Sequence, residues 1–350
     1  MASHIVAGRQ QARRRGAPRI TALGGGQGLA ASLRALRRLT GDLTAVVTVA
    51  DDGGSSGRLR AELGVLPPGD LRKALAALCG DDDWGRTWSE VIQHRFQSDG
   101  ELHGHAVGNL LIVALWEKLG DPVEALEYVG RLLGAHGRVL PMSAVPLDIE
   151  ATVRGLDPED PERLSTVRGQ AEVAVTPGEV ESVRLLPHDP PAVPEAVAAV
   201  READWVVLGP GSWFTSVLPH LMIPDLRDAL VQTRSRKVLA LNLVAQPGET
   251  EGFSPQRHLE VLGAHAPDLT VDFVLANAGT VADPEALRSA AKRLGAELVL
   301  DNVAAPDGQS DNNQAENGPL NGSSGRHDPE LLAAAYDRIF RMHGRIAPWR

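Results

Sequence analysis

One stretch constrains this chain more than any other. Residues Arg19 to Arg60 read RITALGGGQGLAASLRALRRLTGDLTAVVTVADDGGSSGRLR. A short apolar run, ITALG, leads into the glycine turn Gly24-Gly25-Gly26-Gln27-Gly28. Leu29, Leu33, Leu36 and Leu39 then recur at helical spacing, and LTAVVTVA follows as a β-branched run. A second turn, Asp51-Asp52-Gly53-Gly54-Ser55-Ser56-Gly57-Arg58, closes the stretch. Strand, turn, helix, strand in that order calls for parallel strands joined by a crossover helix. It places both turns at the carboxyl ends of strands, the edge on which open α/β sheets bind ligands.

The remaining chain continues the alternation around one interruption. PPGDLRKALAALCG opens with a stiff Pro67-Pro68 turn and starts a helix at Gly69-Asp70, with Asp70 placed to cap it. In GELHGHAVGNLLIVALWEKLG, Gly104 and His105 open an apolar helix, His105 and Asn109 share its first-turn face, and His103 sits just outside. DPVEALEYVGRLLGAHG is an amphipathic helix capped by Asp121 with Pro122 at its first position. LDIEATVRG, RLSTVRGQAEVAV and VESVRLLP then alternate apolar and polar residues, as half-exposed antiparallel strands do. They define a small β-rich insert at about 145–187. Helix and strand patterns resume with PEAVAAVREA, DWVVLGPGSWFTSVLPHLM, KVLALNLVAQPGETEGFS, SPQRHLEVLGAH, VDFVLANAG, DPEALRSAAKRLG and AELVLDNVA. Residues 306–326, rich in Asn, Gly, Ser and Asp, read as a disordered surface loop. DPELLAAAYDRIFRMH closes the pattern as a helix, with Asp328 as cap and Pro329 next.

Totals bound the function. At 350 residues the chain suits one large α/β domain or two small ones; one domain over 19–350, behind a disordered basic tail at 1–18, is expected. A net charge of -10 argues against non-specific nucleic-acid binding, so an anionic ligand needs a local site. Cys79 is the single cysteine, which forbids an intrachain disulfide and fits a reducing cytoplasm. No apolar run is long enough to span a bilayer, and the N-terminal stretch lacks the apolar core of a secretory signal.

Four polar constellations fall at strand ends or helix starts. Gly24 to Gly28 offers successive N–H groups and a helix N-terminus to a phosphate, against the plainer reading of a tight turn. Gly26, Gly28 and Ala31 also fit a dinucleotide fingerprint, with Asp51 near the place of its ribose-binding acid. The second turn supplies the carboxylates Asp51 and Asp52, Gly53 and Gly54, the hydroxyls Ser55 and Ser56, and Arg58. Such a set can hold a divalent cation such as Mg2+ or orient a hydroxyl beside a phosphate; the plain alternative is a solvated turn. Gly209, Gly211, Ser212, Thr215 and Ser216 follow a buried strand as a further hydroxyl-rich cradle. Asn242, Gln246, Glu249, Thr250 and His258 run from another strand end into the next helix, where amides and a carboxylate suit a base or sugar. With Asp70, His105 and Asn109, these clusters describe one crevice for a phosphorylated, nucleotide-like ligand.

In this order the motifs resemble the CofD/YvcK family. GGGQG resembles its GGGTG turn, and TVADDGGSSGRLR, PPGDLR, LHGHAVGNL, GPGSWFTSVLPHL and QPGETEGF resemble its other signatures. The resemblance implies a Rossmann-like three-layer α/β/α fold with a mainly parallel sheet, and a homodimer. It leaves two activities in view. One branch transfers phospholactate from a nucleotide diphosphate to a deazaflavin hydroxyl with a divalent metal, which Asp51 and Asp52 would hold. The other, the YvcK-type gluconeogenesis factors, binds UDP-sugars such as UDP-N-acetylglucosamine, serves cell shape and wall synthesis on gluconeogenic carbon, and has no established reaction. DDGGSSGRLR with PPGDLR is similar to the second branch. Gln27 replaces a threonine, Trp213-Phe214 a Leu-Tyr, His220 an asparagine and Phe253 a tyrosine, changes that bear on ligand choice.

Overall fold

The computed structural model of the protein describes residues 17–246, 248–306 and 325–342. Ten strands and twelve α-helices are described in these segments. The strands are β1 (Ile20–Gly24), β2 (Leu43–Val47), β3 (Arg138–Pro141), β4 (Asp148–Arg154), β5 (Leu164–Arg168), β6 (Glu179–Leu186), β7 (Trp205–Leu208), β8 (Arg236–Ala240), β9 (Phe273–Asn277) and β10 (Glu297–Asp301). The helices are α1 (Gly26–Leu36), α2 (Gly54–Leu63), α3 (Gly69–Leu78), α4 (Asp83–Gln93), α5 (Val107–Leu119), α6 (Pro122–Leu132), α7 (Gln170–Ala174), α8 (Pro194–Glu202), α9 (Pro224–Gln232), α10 (Pro255–His265), α11 (Pro284–Arg293) and α12 (Pro329–Met342). Among the described residues no helix is long and apolar enough to cross a membrane.

Seven strands form one parallel sheet in the order β10-β9-β8-β7-β1-β2-β3. Every residue of β1, β7 and β9 is buried, as a parallel sheet covered by helices on both faces requires. Strand order reverses between β1 and β7, so the crevice at their carboxyl ends is the topological switch point. The α/β Rossmann-like class expected from the sequence is the fold observed.

The remaining strands make the small antiparallel sheet β5-β4-β6. β4 alternates half-exposed and buried, and Ile149, Ala151 and Val153 join the main core through its underside. The chain leaves and re-enters the sheet at a narrow neck, where Ser143 bridges Ala192 and donates its hydroxyl to the Pro191 carbonyl at 2.9 Å. Arg60 of α2 reaches across to this unit, 2.5 Å from Asp148 of β4, and Asp148 also pairs with Arg168 of β5.

Two local expectations change. RLSTVRGQAEVAV is not one strand: β5 stops at Arg168, Gly169 turns with φ 103°, and Gln170–Ala174 is the helix α7. The apolar helix α5 starts at Val107, leaving Gly104 and His105 in the loop before it. Of the 306–326 stretch, residues 307–324 lie outside the described residues, as do residues 1–16 of the tail. Arg326 accepts the Ala305 N–H at 2.8 Å, which joins the described ends of that stretch.

Candidate functional site

The two glycine turns at the switch point touch one another. A Cβ on Gly28 would be driven into the Pro210 carbonyl oxygen and would lie 2.6 Å from Gly211 Cα. Glycine is needed there because backbone packs on backbone. Thr48, which follows β2, ties the halves together: its hydroxyl faces the carbonyls of Gly24 at 3.2 Å and Ser216 at 3.1 Å. Sequence reading passed over Thr48, whose only signal is a polar residue in an apolar run.

The first turn holds a carboxylate. Gly26 N–H donates to Asp70 Oδ2 at 2.9 Å. Asp70 is therefore no cap of its own helix; Pro68 occupies the N-cap position of α3, and the carboxylate crosses to the start of α1. The N–H groups of Gln27 and Gly28 have no acceptor among the described residues, and the Gln27 side chain is exposed. They present the positive end of α1 to solvent.

Asp51 sits beside Asp70. It accepts the Gly53 N–H at 3.1 Å and a hydrogen bond from Ser56. Burial, then the Asp70 charge, hold its carboxyl above the usual range, while Lys73 opposes them. Lys73 Nζ lies 3.0 Å from Asp70 Oδ1, one helical turn along α3. That i, i+3 spacing was visible in the sequence, yet Lys73 did not stand out as a site residue. Asp52 turns the other way and accepts the Ala171 N–H of α7 at 2.9 Å. The carboxylates that converge are thus Asp51 and Asp70, not the sequence neighbours.

This pair bears on a cation. Among the described residues no group of three or more Asp, Glu, His or Cys is placed to hold a metal. Mg2+ is commonly held by one or two carboxylates plus substrate phosphates. Asp51 and Asp70 would supply such carboxylates, but Lys73, already paired with Asp70 Oδ1, competes for the same negative charge, and Asp70 Oδ2 accepts the Gly26 N–H.

Ser55, His105 and Asn109 meet, but around each other. Ser55 Oγ lies 3.1 Å from His105 Nδ1 and accepts from Asn109 Nδ2 at 3.0 Å. All three are buried, so they clasp the entry of α5 to the first turn of α2. Burial, then Arg58, keep the His105 pKa below its usual value. Arg58 donates to the carbonyl of His103 at 2.7 Å, and Gly54 remains exposed at the start of α2.

On the far side, Asn242 brackets Gly211, accepting its N–H and donating to its carbonyl, both at 2.8 Å. Gln246 lies 3.4 Å from the Asn242 amide, and its own N–H donates to Thr250 Oγ1 at 2.9 Å. Gly209 turns with φ 72° before the cradle begins. Glu249 fills that cradle: it accepts from Ser212 Oγ at 2.5 Å, Phe214 N at 2.8 Å and Thr215 N at 3.0 Å. The Ser212 and Thr215 hydroxyls are also bonded to each other. Burial pushes the Glu249 carboxyl above its usual range, with these donors opposing. The segment expected as a helix entry is a π-helical turn, Trp213–Val217.

Most of the unusual residues are packing. Trp213, Phe214 and His220 are fully buried, and His220 Nε2 lies 3.1 Å from the Val46 carbonyl. His258 is buried edge-on to Trp213 and Phe253, with ring centroids at 5.1 and 5.4 Å. Phe253 is half-buried and stands with Arg257 on the wall of a cavity of about 460 Å³. Its other walls come from Pro177–Val180 and from Gly248, Glu249, Glu251 and Gly252.

Comparisons with known proteins agree with this geometry. A family model described as 2-phospho-L-lactate transferase CofD matches residues 20–311. A "Putative gluconeogenesis factor" of Mycobacterium tuberculosis is 54% identical over 323 residues, covering 91% of this chain and 90% of that one. The "Gluconeogenesis factor" of Listeria monocytogenes is 38% identical over 264 residues, 75% of this chain and 79% of that one. A crystal structure of a UPF0052 family member from Bacillus halodurans is similar at a TM-score of 0.77 and 31% identity, covering 90% of this chain and 98% of that one. The chain belongs to the CofD family, among the members named gluconeogenesis factors.

Proposed function

We propose that the protein binds a UDP-sugar, of the UDP-N-acetylglucosamine type, as a regulatory protein that links gluconeogenic growth to cell-wall synthesis and cell shape. The observation that carries this reading is the pair of carboxylates seated in the two cradles. Asp70 on Gly26 N–H and Glu249 on Phe214 and Thr215 N–H mark both turns as anion-accepting backbone. The open N–H groups of Gln27 and Gly28 lie beside the first of them. A diphosphate seated along α1 would extend its nucleoside and sugar toward the loops after β2, β7 and β8. The test is titration calorimetry with UDP-N-acetylglucosamine against UDP, GDP and NAD. Binding of the uridine nucleotides is expected, and no binding of any of them refutes the reading.

A second reading, a metal-dependent transferase of phosphorus-containing groups, is favoured by Asp51. A buried carboxyl beside Asp70, with its affinity for protons raised, suits a base that takes the proton of an acceptor hydroxyl. Mg2+ held by Asp70 and the donor's own phosphates would neutralise the latter, leaving Asp51 free as the base. If Asp51→Asn and Asp70→Asn leave Mg2+ affinity and every transfer activity unchanged, this reading fails.

A further inference from the structure

We propose that α7 is a hinged roof over the crevice and that Asp52 is the latch that holds it shut. The inference rests on the ligand site lying at this edge of the sheet, as proposed above. α7 spans that edge. At one end Asp52 Oδ1 accepts the Ala171 N–H at 2.9 Å, and Asp52 Oδ2 lies so close to Gly169 that a Cβ there would strike it. At the other end Gly248, in the loop after β8, abuts Ala174 and Val175, where a Cβ would lie 3.0 Å from the Ala174 carbonyl oxygen. Between these ends α7 lies against the turn Trp213–Val217. One short helix thus covers the loops after β2, β7 and β8.

Beyond its seat on β4 and β5, its attachment is slight. Val173 is the single buried residue of α7, while Ala171, Glu172 and the following Val175 are exposed. Segments with few buried contacts open first. Gly169, at φ 103°, supplies a hinge where the chain leaves β5. The strands behind it are better held: β4 pairs with both neighbours, and Arg60 ties Asp148 to α2. α7 itself rests on β4 and β5, and Gly169 N–H is held by the Ile149 carbonyl at 2.8 Å, so opening of the roof lifts Val173 from the core while those strands keep their pairing. The cavity bounded by Pro177–Val180 and Gly248 to Arg257 lies just past the end of α7, and it is the mouth left open while the latch is closed. In this assignment Asp52 is a positioning residue, acting through α7, while Asp51 faces Asp70.

The geometry offers a direct lock. An ideal Cβ on Gly53 would lie 3.8 Å from Ala171 Cβ, within the range that a disulfide spans. Gly53 has an extended backbone at φ −94°, so a side chain is tolerated, and the native Cys79 is buried away from the exchange. The test uses the full chain carrying Gly53→Cys and Ala171→Cys, together with Asp52→Ala and Asp52→Asn. Hydrogen exchange is read at residues 170–174 without ligand, and association of UDP-N-acetylglucosamine is read by stopped flow. Asp52→Ala should speed exchange there at least tenfold with β4 unchanged, and Asp52→Asn, which keeps an acceptor, should restore it. The oxidised double-cysteine protein should associate at least tenfold more slowly than the reduced one, and reductant should reverse this. Unchanged exchange in Asp52→Ala, or equal association rates with the disulfide formed, overturns the roof. If even the reduced protein binds no uridine nucleotide, the functional reading has failed, and the exchange arm alone decides the latch.

Discussion

At the scale of single residues, the glycines of the first turn have different jobs. Gly28 is held by contact, since a Cβ would meet the backbone of Pro210 and Gly211. Gly26 is held only by its φ of 59°, with open space where a Cβ would go. Gly28→Ala is expected to lower stability by about 2–3 kcal/mol through overpacking. Gly26→Ala should cost about 1–2 kcal/mol through the left-handed backbone alone. Urea unfolding of the two variants checks the order. His220 gives a pH test. Burial lowers its pKa from 6.5 to about 4, so between those values the folded state binds fewer protons than the unfolded one. Stability must then rise with pH across that window and fall on acidification, by about 3 kcal/mol for this group. His220→Gln, which can still donate to Val46, should flatten the pH dependence of the unfolding midpoint between pH 4 and 6.5. Glu249 has the opposite sign. Its folded pKa is raised above 4.5, so its contribution is present below pH 4.5 and lost as pH rises through the folded value. Glu249→Gln should gain stability relative to the parent protein as pH climbs above 4.5, read by the same midpoints.

At the scale of elements, the long patterns were legible and the short ones were not. β1, α1 and β2 declared themselves through apolar spacing and glycine punctuation, and each lies where that spacing put it. Asp121 and Asp328 cap their helices, accepting N–H groups at 2.9 Å and 2.8 Å. Helix α7 defeated the pattern because five residues of alternating character satisfy either period. Its start is fixed instead by Asp52, 119 residues away in sequence. Asp70 was misread for the same reason: its position near a helix start suggested a local cap, and its true partner is Gly26 on another element. Helix α12 has a task that its amphipathic pattern does not reveal. Tyr336 is fully buried, and its hydroxyl lies 2.8 Å from Ser32 Oγ, which donates to the Gly209 carbonyl at 3.0 Å. The closing helix therefore steadies the second glycine turn through α1. Tyr336→Phe should cost about 1 kcal/mol in thermal or urea unfolding while leaving the helices intact by circular dichroism.

For the whole molecule, the sequence pointed to the crevice but not to what fills it. The loops after β1, β2, β7 and β8 that carry most of the candidate residues lie at one edge of the sheet, because strand ends in a parallel sheet lie side by side. Which groups face each other depended on long-range packing: Asp51 with Asp70 and Lys73, Ser212 with Glu249, Ser55 with His105 and Asn109. A ligand that binds across this edge couples loops from both halves of the sheet, so it should stabilise the fold as a unit. At a hundredfold excess over its dissociation constant, UDP-N-acetylglucosamine should add about 2.7 kcal/mol to unfolding stability. A thermal shift that appears with UDP-N-acetylglucosamine and not with NAD is the expected outcome of the scan.

The narrow neck at Ser143 and Ala192 has a consequence for how such a chain can vary. Because the small sheet departs and returns through paired residues, it is a cassette carried by the larger one. Its length can change, or a different cassette be grafted there, without shifting the register of any of the seven parallel strands. A graft must re-cover the core that Ile149, Ala151 and Val153 now shield, and must give Asp52 and Arg60 new partners in place of Ala171 and Asp148. The crossing of Gly28 and Pro210 permits no such exchange, since a lengthened turn on either side would part the two halves of the sheet at their seam. Variation in length among chains built on this plan is therefore expected in the cassette, and constancy of spacing in the seam.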